Sequence, residues 1–321
     1  MAIGIDPTVD YVFKLLLGSP EHPAITLHFL NAILGDEIQI TEVEILNPIL
    51  GKEDDFDKLS ILDVVARDST GRLYDIEMQT TLPAGLSQRL AYYTASLYVG
   101  QISEGDDYTL LHPAISICVL DAILFRQSPQ IHGDFRLRSR DGSLKLTDGL
   151  QIHLLELPKY TVPSDNRVIT DPVDAWCHFF CRAETMSAQE IEQRFNSPAF
   201  SEAAKVLEMI QRTPQQRSQY ELRLKAQRDE RARMQYAVEQ ARQEAKAEGK
   251  AEGRAEGRAE GRAEGRAEGR AEGRAEGEAL GRIEMLREFL GVDQISTAGL
   301  TLEQLAALES DLQRRLRERG V

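Results

Sequence analysis

Residues 60–80 read SILDVVARDSTGRLYDIEMQT, two runs of alternating apolar and polar residues around four turn formers. A period of two belongs to a β-strand with distinct faces. Taking DSTG as the closing loop, with Gly71 in the left-handed conformation that glycine tolerates without Cβ strain, sets Asp68 opposite Arg72 and Asp63 opposite Glu77. Leu62, Val64, Ala66, Tyr74, Ile76 and Met78 then share one face, which suits a core. Asp63, Asp75, Glu77 and Gln79 share the other with Ile61, Val65, Arg67 and Leu73. Directly opposed side chains have Cβ atoms about 4.5–5.5 Å apart, and like charges so placed destabilise a sheet. Two readings offset that repulsion. A hard cation such as Mg²⁺ takes one or two carboxylates and keeps several waters, so it would draw these acids together. Alternatively, the second face is an exposed polar surface of a half-buried hairpin.

The surrounding pattern builds a mixed layer around this hairpin. Two helices are predicted before any strand, with Val9, Phe13 and Leu16, then Ile25, Phe29 and Ile33, at helical spacing across a Gly18-Ser19-Pro20 break. ITEVEILNPIL reads as a first strand, followed by the acidic stretch GKEDDFD and the hairpin. LSQRLAYYTASLYVGQI returns to helical spacing through Leu86, Leu90, Tyr93 and Leu97, and AISICVLDAILF is β-branched enough for a buried strand. FRLRSRDGSLKLTDGLQIHLLEL adds a second hairpin around RDGS. Helix, strand, hairpin, helix and strand in that order predict an α/β fold, a mixed sheet flanked by helices. From Asp171 to about Ala245 the chain is helical and increasingly polar.

Composition narrows the function classes. A formal charge of −14 argues against a protein that coats nucleic acid through a general positive field, though not against local contact. Residues 1–100 hold fifteen Asp and Glu against six Lys and Arg, so the acidity gathers around the hairpin. Cys118, Cys177 and Cys181 are too few and wrongly spaced for a disulfide or zinc framework, and DAWCHFFC reads as a buried helix on which cysteine is a small apolar residue. MAIGIDPTVDYVFK lacks a basic segment followed by an apolar one, and no apolar run approaches the roughly 20 residues of a membrane span, so a cytoplasmic protein without membrane contact is expected.

Residues 247–278 are an internal repeat: AEGK, six copies of AEGR, then AEGE. Four residues on a 3.6-residue helix advance each repeat by about 40°, so no apolar face accumulates. Glu and Arg fall two apart on different faces, and like charges fall at the mildly destabilising i,i+4 spacing. A charged spacer, part helical and part frayed, is expected, with a close-packed self-association helix as the alternative. After it, Ile283, Leu286, Phe289 and Leu290, then Leu302, Leu305, Leu308 and Leu312, resume amphipathic spacing. Residues 279–321 read as a small helical module for self or partner contact, making the chain a candidate homo-oligomer.

Asp63 followed by IEMQ, with Glu77 and Gln79, resembles the PD-(D/E)XK nuclease superfamily. DPTVDYVFKLLLGS, FLNAILGD, EILNP, KLSILDVVARDSTGRLYDIEMQ and RLAYYTASLYVGQI together resemble its recombination-promoting nuclease and transposase family, closely over residues 5 to about 125. The resemblance implies a restriction-endonuclease-like core at 1–165, a helical extension at 166–246, the repeat spacer at 247–278 and the terminal module. It also implies a Mg²⁺-dependent DNA endonuclease, with Mn²⁺ as a possible substitute, that promotes recombination or cleaves foreign DNA. The rival reading is a weakly active or inactive nucleic-acid-binding, toxin-like module assembled through its C-terminal helices.

Under the resemblance Asp63, Glu77 and the Met78 carbonyl would hold the metal, and Asp63, Glu77 and Gln79 would form the catalytic set. Two positions depart from the superfamily pattern: Leu62 replaces the proline, and Gln79 replaces the lysine. Gln can orient a water or phosphate but supplies no positive charge. Lys14 and Lys58 are candidate substitutes, and Glu44 and Asp75 are candidates for a second metal or else surface acids. Arg89 and Tyr92, three apart on one helix, would contact phosphate, unless Arg89 pairs with a carboxylate. Arg136, Arg138 and Arg140 alternate along a strand and would place three guanidinium groups on one face, as a phosphate track or as a charged edge.

Overall fold

The computed structural model describes residues 1–35, 38–46, 63–165, 167–293 and 295–318. It divides into two compact units, Met1–Tyr236 and Ala237–Val321. In the first, two helices precede the sheet: α1 (Asp10–Leu17) and α2 (Pro23–Leu34). The strands are β1 (Val43–Ile45), β2 (Val64–Asp68), β3 (Leu73–Gln79), β4 (Ala114–Leu120), β5 (His132–Arg138) and β6 (Lys145–Glu156). Helix α3 (Leu86–Val99) connects β3 to β4, and α4 (Pro172–Arg182), α5 (Ala188–Phe195) and α6 (Pro198–Arg212) follow the sheet.

The sheet runs β1-β2-β3-β4-β6-β5. Its centre is parallel, β3 with β4 and β4 with β6, and the outer pairs are antiparallel. The register of the β2–β3 hairpin, Val64 with Ile76 through Arg67 with Leu73, is the one that DSTG dictates. Gly71 has φ +87°, and its Cα lies so close to the His112 ring that a Cβ would meet it at 2.8 Å. Asp68 closes the turn: its carboxylate accepts from the Thr70 and Arg72 amides at 2.9 and 3.0 Å and from the Tyr74 hydroxyl at 2.8 Å.

The two faces of the hairpin meet different layers. Val64, Ala66, Tyr74, Ile76 and Met78 join Ile115, Ile117 and Val119 of β4 in the main core, against α1, α2, α4, α5 and α6. The opposite face lies under α3, whose Leu86 and Leu90 pack on Cys118, Leu120 and Leu154, and whose Leu97 packs on Val65 and Ala114. Both faces are therefore covered. An exposed polar surface for the acid-bearing face is overturned, since Asp75 and Glu77 are 0% and 3% exposed.

Helix α7 (Pro214–Leu290) contributes its stretch up to Tyr236 to the first unit. The repeat tract within it is helical throughout, not partly frayed, and almost entirely exposed. The regular repeats place like charges four apart, and the tract's ion pair among the described residues, Arg274 to Glu278 at 3.2 Å, forms where the final AEGE breaks that pattern. In the second unit Ala279, Ile283 and Leu290 of α7 pack on Leu305 and Leu312 of α8 (Leu302–Glu318). Phe289 lies off this seam and is 71% exposed, so the amphipathic stripe is narrower than the spacing predicted. No helix among the described residues is long and apolar enough to cross a membrane.

In α4, Cys177 is buried in the main core, whereas Cys181 is exposed, so only the first behaves as the small apolar residue expected of both. No three His, Cys, Asp or Glu side chains converge to hold a metal among the described residues.

Candidate active site

Asp63, Asp75 and Glu77 lie within electrostatic reach of one another where the open end of the hairpin meets α1 and α3. Asp75 and Glu77 alternate on β3, so both point toward α3, and Asp63 stands immediately before β2. The amide of Met78 donates to Asp63 Oδ2 at 3.2 Å, which ties the acid of one strand to the backbone of the next. In the parallel register Asp75 lies beside Ser116, whose hydroxyl donates to Asp75 Oδ2 at 2.7 Å. The other oxygen, Asp75 Oδ1, is buried without a hydrogen-bond partner.

Two cations pair with the acids. Lys14 Nζ, from α1, lies 3.0 Å from Asp63 Oδ1 and 2.8 Å from Asp10 Oδ1. Arg89 Nη2, from α3, lies 3.7 Å from Glu77 Oε2, and its guanidinium sits over the Tyr93 ring at 5.9 Å. Gln79 Nε2 donates to Glu77 Oε2 at 3.3 Å.

Burial dominates the electrostatics. It pushes the Asp63 carboxyl up against the opposing charge of Lys14. Asp75 is raised well above the carboxylate range by burial and then by the charge of Glu77. Glu77 is raised to about 7 by burial and the charge of Asp63, with Arg89 opposing. For Lys14, burial favours the neutral amine, but Asp63 and Asp10 together outweigh it and the ammonium titrates above the ordinary lysine value. Lys14 is thus a permanent positive charge at neutral pH and cannot serve as a base.

This donor set fits a hard divalent cation. Buried like charges, raised carboxyls and an unpartnered carboxylate oxygen are what such an ion would relieve. With no cluster of three His, Cys, Asp or Glu side chains among the described residues, such an ion would take few side-chain ligands and fill its shell with backbone oxygen and water, which suits Mg²⁺ better than the side-chain-rich sites of Zn²⁺. A cleft of about 280 Å³ opens beside Asp63, Met78 and Gln79.

The other predicted residues are distributed as follows. Lys14 reaches Asp63, whereas Lys58 lies outside the described residues. Glu44 is exposed on β1 opposite Arg67, away from the acids. Asp75 is no surface acid, because α3 and β4 enclose it. Arg89 pairs with Glu77, while Tyr92 is 48% exposed and edge-on to Tyr93. The strand carries two of the three arginines, Arg136 and Arg138, since Arg140 lies beyond its end, and the register shifts at Arg136/Leu137 and Leu137/Arg138 put extra residues on β6 opposite them. Arg136 also spends its charge locally, 2.9 Å from Asp134 and 3.8 Å from Asp148.

Sequence reasoning missed Ser116 and the α7 side of the cleft. Ser116 had a signal, a lone hydroxyl inside the apolar AISICVL. The α7 residues had none, being polar positions of a polar helix. Residues 7–237 match the family model described as PD-(D/E)XK nuclease family transposase. No curated protein and no solved structure matches the chain.

Proposed function

Because this chain belongs to the PD-(D/E)XK nuclease family transposases, we propose that its first unit is a Mg²⁺-dependent DNA endonuclease that hydrolyses phosphodiester bonds, promoting recombination or cutting foreign DNA. The observation that carries this reading is the burial of Asp75 and Glu77 with Asp63 beside them, where Asp75 Oδ1 finds no partner. Asp63, Glu77 and the Met78 carbonyl would hold the metal, with Mn²⁺ as a substitute. When bound, the cation lowers the pKa of a water and neutralises charge growing on the phosphate.

The chain's own groups complete the chemistry. Gln79, within hydrogen-bond reach of Glu77, orients the attacking water. Lys14 supplies the positive charge that Gln79 lacks, and its contact with Asp63 keeps that charge beside the reacting phosphate. Arg89, 3.7 Å from Glu77, offsets part of that carboxylate's charge and would be a nearby cation for phosphate. Assembly into a homo-oligomer through the C-terminal helices, and a cytoplasmic site of action, belong to the same proposal.

The test is cleavage of supercoiled plasmid by the full-length protein with Mg²⁺, with Mn²⁺ and with EDTA. Nicking or linearisation should require the cation and fall roughly a hundredfold or more in Asp63→Ala and Glu77→Ala. Equal trace activity in wild type and both variants, or none with either cation, would contradict the proposal and favour a binding module.

A further inference from the structure

The sheet side of the cleft offers little uncommitted positive charge. Lys14 is engaged by Asp10 and Asp63, Arg89 by Glu77, and Gln79 carries no charge. A DNA phosphate entering here would meet Asp10, Asp63 and Glu230 on the cleft lining, so a cation beside the path would add to the partly offset charge of Lys14.

The opposite wall is the beginning of α7. Arg223 stands three and four residues before the adjacent pair Ala226 and Gln227, and Glu230 stands four and three after them, which places all four on a single stripe of the helix, and they line the cleft together with Asp63 and Gln79. Two anchors hold this stretch to the sheet unit. The buried Tyr220 accepts at its hydroxyl from the Asp6 amide at 3.1 Å. Arg231 pairs with Asp121, the residue after β4, whose own amide donates to the Gln79 carbonyl at 2.8 Å. The helix is therefore fixed to the strand ends that carry Gln79.

Two side chains of the stripe have properties that its packing does not use. Arg223 is the cation among the described residues lining the cleft, and it is exposed. Gln227 Oε1 is buried, borders the same cleft and has no hydrogen-bond donor. We propose that the start of α7 is the substrate-side wall of the catalytic cleft, with Arg223 binding a DNA phosphate and Gln227 Oε1 accepting a hydrogen bond from a water ordered next to it. This rests on the nuclease reading and extends it. The wall is supplied from a segment more than 140 residues beyond the carboxylates, so the helical extension belongs to the active site.

The test uses full-length protein and two readouts, steady-state plasmid nicking and fluorescence-anisotropy binding of a labelled duplex. Arg223→Ala should raise KM about tenfold with kcat nearly unchanged and reduce the slope of log affinity against log salt by about one. Arg223→Lys should recover most of the affinity, and Arg223→Glu should bind more weakly than Arg223→Ala. Gln227→Leu should lower kcat roughly tenfold with KM unchanged, and Gln227→Glu, which keeps the acceptor, should restore part of it. Unchanged melting temperatures would set aside a folding defect. Wild-type values of KM and salt slope in Arg223→Ala and Arg223→Glu would overturn the assignment while leaving the nuclease reading intact. If wild type fails to cut, the nuclease reading fails, and the wall is judged by binding alone: equal duplex affinity of wild type and Arg223→Glu overturns it, and weaker binding by the variant upholds it.

Discussion

The repeat tract and the hairpin both set carboxylates beside carboxylates, and water reaches only the first. Along α7 the glutamates of successive AEGR units stand four residues apart on an exposed helix, where solvent and salt screen them and each repulsive pair amounts to a few tenths of a kcal/mol. In the hairpin, Asp75 and Glu77 alternate along one strand with Asp63 beside them, under α3 and next to β4. There the same kind of repulsion moves carboxyl groups far from their ordinary range, Glu77 to about 7. Crowded charge is a compositional habit in water. Inside a sheet it calls for a counter-charge.

The comparison can be broken at its buried end first. Glu77 is raised in the folded chain from 4.5 to about 7, so its stabilising share, that of the neutral form, is complete below about pH 4.5 and is lost as pH rises through 7. Glu77→Gln keeps a neutral group there at every pH. In EDTA, urea unfolding should show the variant gaining on wild type from pH 5 to pH 8, by up to roughly 3 kcal/mol. Saturating Mg²⁺ at pH 8 should narrow the gap by stabilising wild type alone. A gap that is flat with pH would mean that the acids are not buried together.

A smaller effect is expected next to it. Ser116→Ala removes the 2.7 Å hydrogen bond to Asp75 and leaves both oxygens of a buried carboxyl without a donor. It should lower stability by about 1–2 kcal/mol, read as a fall in the melting temperature. An unchanged melting temperature would show that solvent reaches Asp75 after all.

The exposed end should respond in the opposite sense and without functional consequence. A Cβ at Gly261 meets nothing within 4 Å, so Gly261→Ala should stabilise the helix by about 1 kcal/mol. Far-UV circular dichroism during heating should show the helical signal held to higher temperature, with plasmid cleavage unchanged. Loss of helicity or of cleavage would mean that the tract packs on something through its glycines.

Much of this was legible in the sequence. DSTG and strict alternation specify the β2–β3 register, and the two apolar helices ahead of the hairpin follow from Phe13, Leu16, Ile25 and Phe29. Alternation also says which residues share a face with Asp63, but not whether that face is covered. Coverage depends on α3 docking through Leu86, Leu90 and Leu97, a tertiary event that a period of two cannot report. The arginine strand misled for a related reason: where the strand ends, before Arg140, is set by its pairing with β6 and leaves no trace in an alternating string. Arg223 and Gln227 lay beyond reach altogether, because a polar helix carries no apolar stripe to say which side faces the sheet.

If Asp63 and Glu77 hold a divalent cation, Mn²⁺ should bind the metal-free full-length protein, and the loss of the free-ion electron paramagnetic resonance signal reads that binding directly. Saturable binding that disappears in both Asp63→Asn and Glu77→Gln is the predicted result. No binding by wild type, or binding that survives in both variants, would contradict it.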